Sequence, residues 1–319
     1  WRPLDSALEV EGWGSEFQSH DGACITEGLY DPEVEFVWIM GMNPLQSMPD
    51  LTALENAFTK SFVVLQHHHN VRTQEYADVV LPATMVSEEY GSITNGERRV
   101  RALFGGQDNS NWRRNTMGDE GGGMLSNVEI LMRFAERLGA EGFQYNAPQD
   151  VTAEMLNVVP DYQDLTLEEI SSAQGDFARK DYVFKRLISF TREKYNFDSE
   201  GKSQYPYVFT TARNRYLFCT SGASGSSKTL RDLARAPRVF INPDDADVIG
   251  VRDGERVRIE SEVGAIDAEV QRDAGVRKRV LVAPYHFEKL LVNRLTPRIL
   301  DPESGTPCYK QVHVKVEKI

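Results

Sequence analysis

The stretch VEFVWIMGMNPLQSMPDLTALENAFTKSFVVLQHHHNVRTQEYADVVLP (34–82) decides the fold class. Its opening, VEFVWIM (34–40), is a short, mainly apolar run that stops at Gly41, the pattern of a buried strand entering a turn. Residues 50–60 carry Leu51, Leu54 and Phe58 at helical spacing, with Asp50 placed to cap the first turn. FVVLQ (62–66) reads as a second strand, 72–76 as a short polar helix, and DVVL (78–81) as a third strand stopped by Pro82. Strand, helix, strand, helix, strand predicts a parallel sheet with covering helices. Ligands in such sheets sit outside the carboxyl ends of the strands. Those ends are 41–44, 66–70 and 82–89.

Outward from this stretch the chain divides in three. Residues 1–105 form the α/β part, a segment of a doubly wound sheet. Residues 106–203 are less regular. Within them 105–123, rich in Gly, Asn, Asp and Arg, reads as a long loop, VEILMRFAERL (128–138) as an amphipathic helix stopped by Gly139, 165–195 as two more helices, and 198–203 as a polar linker. Residues 204–319 change character. A β-rich run at 205–211, further segments at 239–242, 256–261, 265–271 and 279–283, an alternating run at 312–316, and turn signals at Asp253-Gly254 and Val263-Gly264 predict a mostly-β domain, with a barrel expected.

Composition narrows the function classes. Hydrophobic residues are 40% and charged residues 26%, the balance of a globular chain with material for sizeable cores. The net charge of −12 argues against a general nucleic-acid binder, which needs a basic face. It leaves room for one anionic cofactor, which needs only a few local donors. Cys24, Cys219 and Cys308 lie too far apart for a disulfide framework or for iron–sulfur or zinc spacing, so a reducing, cytoplasmic setting is expected. No run approaches a membrane-spanning length, and no membrane span is expected. No basic-then-apolar leader opens the chain, and its first residue is Trp1 rather than Met, which leaves an upstream piece open.

Single motifs carry little alone. There is no phosphate-loop signature and no GxGxxG after a strand. The run HHHN (67–70) invites a metal reading, but neighbours on a regular strand point to opposite faces, so three successive histidines cannot all face one ion. A loop at a strand end, with one imidazole facing a ligand and no metal, is the expectation. ERRVR (97–101) reads as a solvated charge run, or equally as guanidinium groups offered to phosphates or carboxylates. Asp244 and Asp245 read as a helix cap. TSGASGSSK (220–228) reads as a flexible loop, with a pyrophosphate cradle of backbone N–H groups and hydroxyls as the alternative.

Together, however, these pieces resemble a family. GMNPLQSMPDL (41–51), FVVLQ, and RTQEYADVVLPATMVSEEYGSITNGERRVRAL (72–103) resemble the molybdopterin oxidoreductases of the dimethyl-sulfoxide-reductase class. YPYVFTTARNRY (205–216), INPDDADVIGVRDGERVRIESEVGAI (241–266), APYHF (283–287) and N-R-L-T…L-D-P-E-S-G-T-P-C-Y-K ending at 310 resemble their molybdopterin-dinucleotide-binding domain. The resemblance covers nearly the whole chain, the 106–203 segment least, and is nearest to the C-terminal half of formate dehydrogenase catalytic subunits. It implies a double-psi β-barrel for 204–319 and a molybdopterin guanine dinucleotide cofactor carrying molybdenum or tungsten.

The resemblance also implies contacts. Gly41, Asn43 and Pro44 would form a turn beside the nucleotide, Gln66 and His67 would face guanine or ribose, and Thr73 and Asp78 would follow in the same crevice. For Asp78 a helix or turn cap is the equal alternative. Arg213 would touch the pterin or its phosphates, and Asn293, Tyr309 and Lys310 would close over the pterin. The chain departs from the family at His67, often Asp there, at His69, often aromatic, at Leu217, where formate dehydrogenases often place His, and at Cys219, usually polar. No catalytic residue and no metal ligand is expected within this chain. The iron–sulfur cluster, the metal's cysteine or selenocysteine ligand, its adjacent histidine and the substrate arginine would lie in an N-terminal half, or in a separate subunit carrying it. Iron–sulfur electron-transfer subunits would be further partners. The implied reaction is formate/carbon dioxide interconversion. The alternatives are another family oxidoreductase such as a nitrate reductase, or a non-catalytic scaffold in an electron-transfer complex.

Overall fold

Strand β1 (Phe36–Met40) buries alternate residues, Val37 and Ile39, and ends at Gly41, whose φ of +66° takes the chain into a turn. A short helix, α1 (Pro44–Ser47), starts with proline at its first turn, where the missing N–H costs no helical bond. Helix α2 (Leu51–Phe58) is capped by Asp50, whose carboxylate accepts the Ala53 N–H at 3.2 Å. Its Leu51, Leu54 and Phe58 are buried, as their spacing predicts. β2 (Phe62–His67), a 3-10 turn (Arg72–Tyr76) and β3 (Val79–Pro82) complete a sheet in the order β1-β2-β3. This is the parallel-sheet segment expected. Val37, Ile39, Leu54, Phe58, Val63 and Leu65 make one core cluster. The rings of Phe36 and Phe62 stack at 6.2 Å and are half exposed.

This computed structural model describes residues 27–97, 99–104, 124–159, 162–172, 176–177, 204–300 and 307–319. The described chain divides into two compact units. One holds Gln66–His68 and the described residues from 81 to 177. The other holds residues 27–65, His69–Val80 and residues 204–319.

In the first of these units, β4 (Tyr90–Thr94) and β5 (Arg99–Phe104) form an antiparallel hairpin extended by β6 (Asp176–Phe177). The Asn95 carboxamide closes the turn by accepting the N–H groups of Glu97 and Arg99 at 3.0 and 2.9 Å. Sequence reading gave 91–101 only as a motif and a charge run, so the hairpin is a finding of the structure. Helix α3 (Asn127–Leu138) is capped by Ser126, which accepts the Glu129 N–H at 3.1 Å, and stops at Gly139 with φ +70°. α4 (Pro148–Val158) follows, then α5 (Leu167–Ser171), which opens with a reciprocal Thr166–Glu169 capping box. Leu156, Leu165 and Ile170 pack on Val100 of the hairpin. Of the two helices expected in 165–195, α5 is one. Most of the remainder of that segment, the loop at 105–123 and the linker at 198–203 lie outside the described residues.

The last part of the chain closes a barrel. β7 (Tyr207–Ala212), β8 (Val239–Ile241), β9 (Arg256–Glu260), β10 (Ala265–Arg272), β11 (Val280–Pro284) and β12 (Val312–Lys318) run in the order β10-β8-β11-β7-β12-β9, with β9 pairing back onto β10. Two pairs are parallel, β10 with β8 and β11 with β7, and the other four are antiparallel. Closure leaves no unpaired edge to invite another chain. Phe209, Ile241, Val257, Ile259, Val270, Leu281, Val312 and Val314 fill the interior. Burying each large side chain contributes roughly 1.5–3 kcal/mol. Two helices lie between strands, α6 (Lys228–Ala234), capped by Ser227, and α7 (Pro243–Ile249). The cap of α7 is Asn242, which accepts the Asp244 N–H at 3.0 Å. The cap expected from Asp244 and Asp245 therefore sits two residues before Asp244. Asp245 instead accepts the Arg279 N–H at 2.6 Å, and Asp244 pairs with Lys278. Among the described residues no helix is long and apolar enough to cross a membrane.

Candidate functional site

The last residues of β7 set the site. Thr211 offers its carbonyl and hydroxyl to the Lys310 ammonium, at 2.7 and 2.8 Å. Arg213 follows one residue past the strand end. Burial, and then the positive charge of Arg213, hold the Lys310 ammonium below the usual lysine range. Among the described residues neither cation forms an ion pair with a carboxylate. Two neighbouring cations without a counter-ion repel each other and favour an anion between them.

A second residue feels Arg213. His286, two residues past β11, is 1% exposed. Its Nε2 accepts the Asn214 N–H at 2.9 Å and its Nδ1 lies 2.6 Å from the Cys219 carbonyl. An acceptor at Nε2 requires the proton on Nδ1, so the ring is the neutral Nδ1–H tautomer. Burial, reinforced by the Arg213 charge and opposed by the Cys219 carbonyl, pushes its pKa down. The His286 carbonyl accepts the Gln46 amide at 3.0 Å and the Ser221 hydroxyl at 2.8 Å.

Gln46 leads to the turn after β1. Its Oε1 accepts the Asn43 amide at 3.0 Å, and the Asn43 Oδ1 accepts both the N–H and the hydroxyl of Thr73, at 3.2 and 2.8 Å. Asn293 donates from Nδ2 to the carbonyls of Gln46 and Ser47, both at 2.9 Å. The barrel segment Val292–Leu295 is fastened a second time. Glu55 on α2 accepts Arg72 at 2.9 Å and takes Arg294 in a two-point pair. Burial raises the Glu55 pKa, but the hydrogen bonds from Arg294 and Arg72 outweigh it and hold the carboxyl below its ordinary value.

The structure thus brings Arg213 together with Lys310, and Asn43 with Thr73 and Asn293, with His286 and Gln46 joining the two groups. The side chains of Asn43 and Thr73 and the amide nitrogen of Asn293 are engaged within the protein. Gly41 has a positive φ, and nothing lies within 4 Å of where a Cβ would stand, so the backbone there is open to close approach. Pro44 is buried at the start of α1. The Asp78 carboxylate accepts the Val63 N–H at 2.7 Å, which ties β3 to β2. The Tyr309 phenol lies near Tyr30, and burial pushes its pKa up to about 12.

Gln66 and His67 belong to the other unit. Gln66 is fully buried and donates to Asn127 at 2.6 Å, while its Oε1 has no hydrogen-bond partner. Asn127 in turn donates twice to Glu89, which also accepts the Thr84 hydroxyl. The His67 and His68 rings stack at 4.6 Å. Sequence reading missed His286, Gln46 and Ser221. The signal for His286 was its place just after Ala283-Pro284 at the end of a barrel strand. Gln46 and Ser221 carried none, because their partners lie far along the chain.

The residues at the barrel end fit a phosphate-bearing cofactor. The Arg213–Lys310 pair, unanswered by any carboxylate among the described residues, calls for an anion, and the open backbone at Gly41 admits a close approach. Two family models match the chain. Residues 207–313 match the molydopterin dinucleotide binding domain, and residues 12–108 match the molybdopterin oxidoreductase domain. The chain is 29% identical over 331 residues to the F420-dependent formate dehydrogenase subunit alpha of Methanocaldococcus jannaschii, covering 98% of this chain and 48% of that protein. It is 27% identical over 342 residues to formate dehydrogenase H of Escherichia coli, covering 99% of this chain and 46% of that protein. The chain therefore spans about half the length of the curated relatives it matches. Among solved structures, acetylene hydratase from Pelobacter acetylenicus superposes with a TM-score of 0.63 at 15% identity, over 92% of this chain and 46% of that one. That likeness bears on the fold alone.

Proposed function

This chain carries domains of the molybdopterin-oxidoreductase superfamily and is related to formate-dehydrogenase-like catalytic subunits, and from that premise we propose that it is the cofactor-holding C-terminal part of a formate dehydrogenase. The observation that carries the reading is the Arg213–Lys310 pair at the end of β7, which no carboxylate among the described residues answers, inside the segment matched as dinucleotide-binding. Its chemistry suits the phosphates of a pterin guanine dinucleotide. When bound, the molybdenum or tungsten centre with its sulfur ligands supplies the two-electron redox chemistry between formate and carbon dioxide. This chain's residues do other work. Arg213 and Lys310 neutralise the anion, Gly41 lets the backbone come close, and Asn43, Thr73 and Asn293 hold the turn and the barrel segment in place. Formate as the substrate is supported by the relatives' activities. Iron–sulfur partner subunits, a cytoplasmic setting and completion of the active site by an N-terminal half belong to the same proposal.

The test is the content and activity of the native assembly. It is expected to contain molybdenum or tungsten, to release guanine nucleotide on acid hydrolysis, and to reduce an artificial electron acceptor with formate. A pure assembly with neither metal nor guanine nucleotide would leave only the scaffold reading. Metal and nucleotide without formate oxidation would transfer the chain to another oxidoreductase of the superfamily.

A further inference from the structure

The loop from Arg213 to Ser221 carries the site's arginine, and its internal bonds, Leu217 N–H to the Asn214 carbonyl at 3.3 Å and Ser221 N–H to the Phe218 carbonyl at 2.8 Å, must hold a strained backbone. Cys219 and Ser221 both adopt left-handed conformations, with φ of 47° and 62°, unfavourable for residues with a side chain. Such a loop keeps its shape only if its surroundings hold it. Asn214 supplies part of the hold, donating from its side chain to the Ala234 carbonyl at 3.1 Å and accepting the Tyr216 N–H at 2.9 Å. The Phe218 N–H bonds to the Ser224 hydroxyl at 2.8 Å, and three further contacts converge on one buried residue. The His286 ring grips the loop near both ends, at Asn214 N–H and at the Cys219 carbonyl, and Ser221 bonds to the His286 carbonyl.

Two features separate the ring's role from general packing. The His286 backbone is anchored independently, because its carbonyl accepts Gln46 and Ser221 whatever the side chain. Its Nε2, moreover, holds the residue next to Arg213, so the ring acts on the arginine through a single peptide unit. We propose, resting on the cofactor reading above, that His286 is a positioning residue for the anion site: its Nε2 fixes the backbone at Asn214 and so aims the Arg213 guanidinium at a phosphate shared with Lys310. The imidazole touches no ligand in this scheme. It acts as a neutral acceptor, a task for which its burial beside a guanidinium suits it.

The chemistry predicts which replacements survive. Glutamine places an amide oxygen about where Nε2 stands and can still accept the Asn214 N–H. Asparagine reaches only the position of Nδ1, so it can still donate to Cys219 but leaves the Asn214 N–H without an acceptor. A merely structural histidine would suffer alike from both changes. The experiment measures binding of inorganic pyrophosphate and of guanosine diphosphate by calorimetry, alongside thermal melting, to the chain co-expressed with the half that completes it and freed of bound cofactor. The expected result is affinity within about twofold of the unchanged chain for His286→Gln, a loss of about tenfold or more for His286→Asn, and abolition for Arg213→Gln. Equal affinity in both His286 variants, or equal losses that follow equal drops in melting temperature, would overturn the proposal while leaving the cofactor reading intact. If His286→Asn does not fold, His286→Gln decides alone, with retained affinity supporting the proposal and a tenfold loss sinking it. Absence of pyrophosphate and nucleotide binding in the unchanged chain defeats the cofactor reading itself, and the positioning role with it.

Discussion

Lys310 donates twice to Thr211 and carries a charge that no carboxylate among the described residues answers, so its removal discriminates a ligand-serving residue from a structural one. Lys310→Ala is expected to weaken cofactor retention by on the order of 1.5–3 kcal/mol, the contribution of a charge-assisted hydrogen bond. Barrel folding should survive, because the core beneath is apolar and complete. Metal and nucleotide per purified chain, measured beside the melting curve, check this. Full retention of both would remove Lys310 from the site. His286 gives a prediction in pH. Its folded pKa lies below the ordinary histidine value of 6.5, so between the two the unfolded chain binds more protons than the folded one. Stability therefore rises with pH through this window. The contribution is complete above about 6.5 and shrinks as the pH falls through the folded value. The melting temperature should drop on acidification from neutrality toward pH 5 by more in the unchanged chain than in His286→Gln. Identical profiles would show that the ring does not titrate against the fold. Arg213, Lys310 and Asn293 were named from the sequence because each stands in a recognisable run. The role of His286 was not, since its partners at Gln46, Asn214, Cys219 and Ser221 are between 65 and 240 residues away and no local pattern encodes them.

At the scale of elements, Glu55 is the clasp between α2, the Arg72–Tyr76 turn and the barrel segment Val292–Leu295. Glu55 is only 16% exposed, and apart from it Arg72 has the exposed Glu75 at 3.6 Å, so removing Glu55 leaves Arg294 without its carboxylate and Arg72 with a weaker one. Glu55→Ala is expected to cost about 1.5–3 kcal/mol of stability, read as a lower denaturant midpoint. Glu55→Gln should recover part of that loss by keeping hydrogen bonds without the charge. If neither variant shifts the midpoint, the clasp is no more than a surface pair. The elements themselves were largely legible. β1, α2, β2 and all six barrel strands fall within a few residues of their apolar runs, because each buries a face with the period its sequence displays. The β4–β5 hairpin was not legible. Its exposure pattern is mixed rather than alternating, and its turn depends on the Asn95 side chain accepting two backbone N–H groups, a device that a charge-rich run conceals.

For the whole molecule, the decisive facts are a chain that spans about half the length of its relatives and a sheet with apolar side chains left in the open. Phe36, Met40, Phe62, Val79 and Val80 are each more than a third exposed, and all lie on the three strands of the first sheet. A doubly wound sheet covers both faces with helices, so apolar strand residues facing solvent mark a surface built to be covered. On the function proposed above, the occupant is the N-terminal half of the catalytic subunit, on this chain or on another. The chain by itself is therefore expected to be poorly soluble, to bind little metal and to show no formate oxidation, although the closed barrel retains its own core. Co-expression with that half should restore solubility, cofactor content and activity together, through an obligate interface above about 2,000 Å². Size-exclusion chromatography and thermal melting, on the chain alone and with its partner, measure this directly. A monodisperse monomer that melts once, cooperatively, and is unchanged by the partner would mark a self-contained binding protein. The split-enzyme reading would then fail at its root, since the exposed strand residues would have been tolerated without anything to cover them.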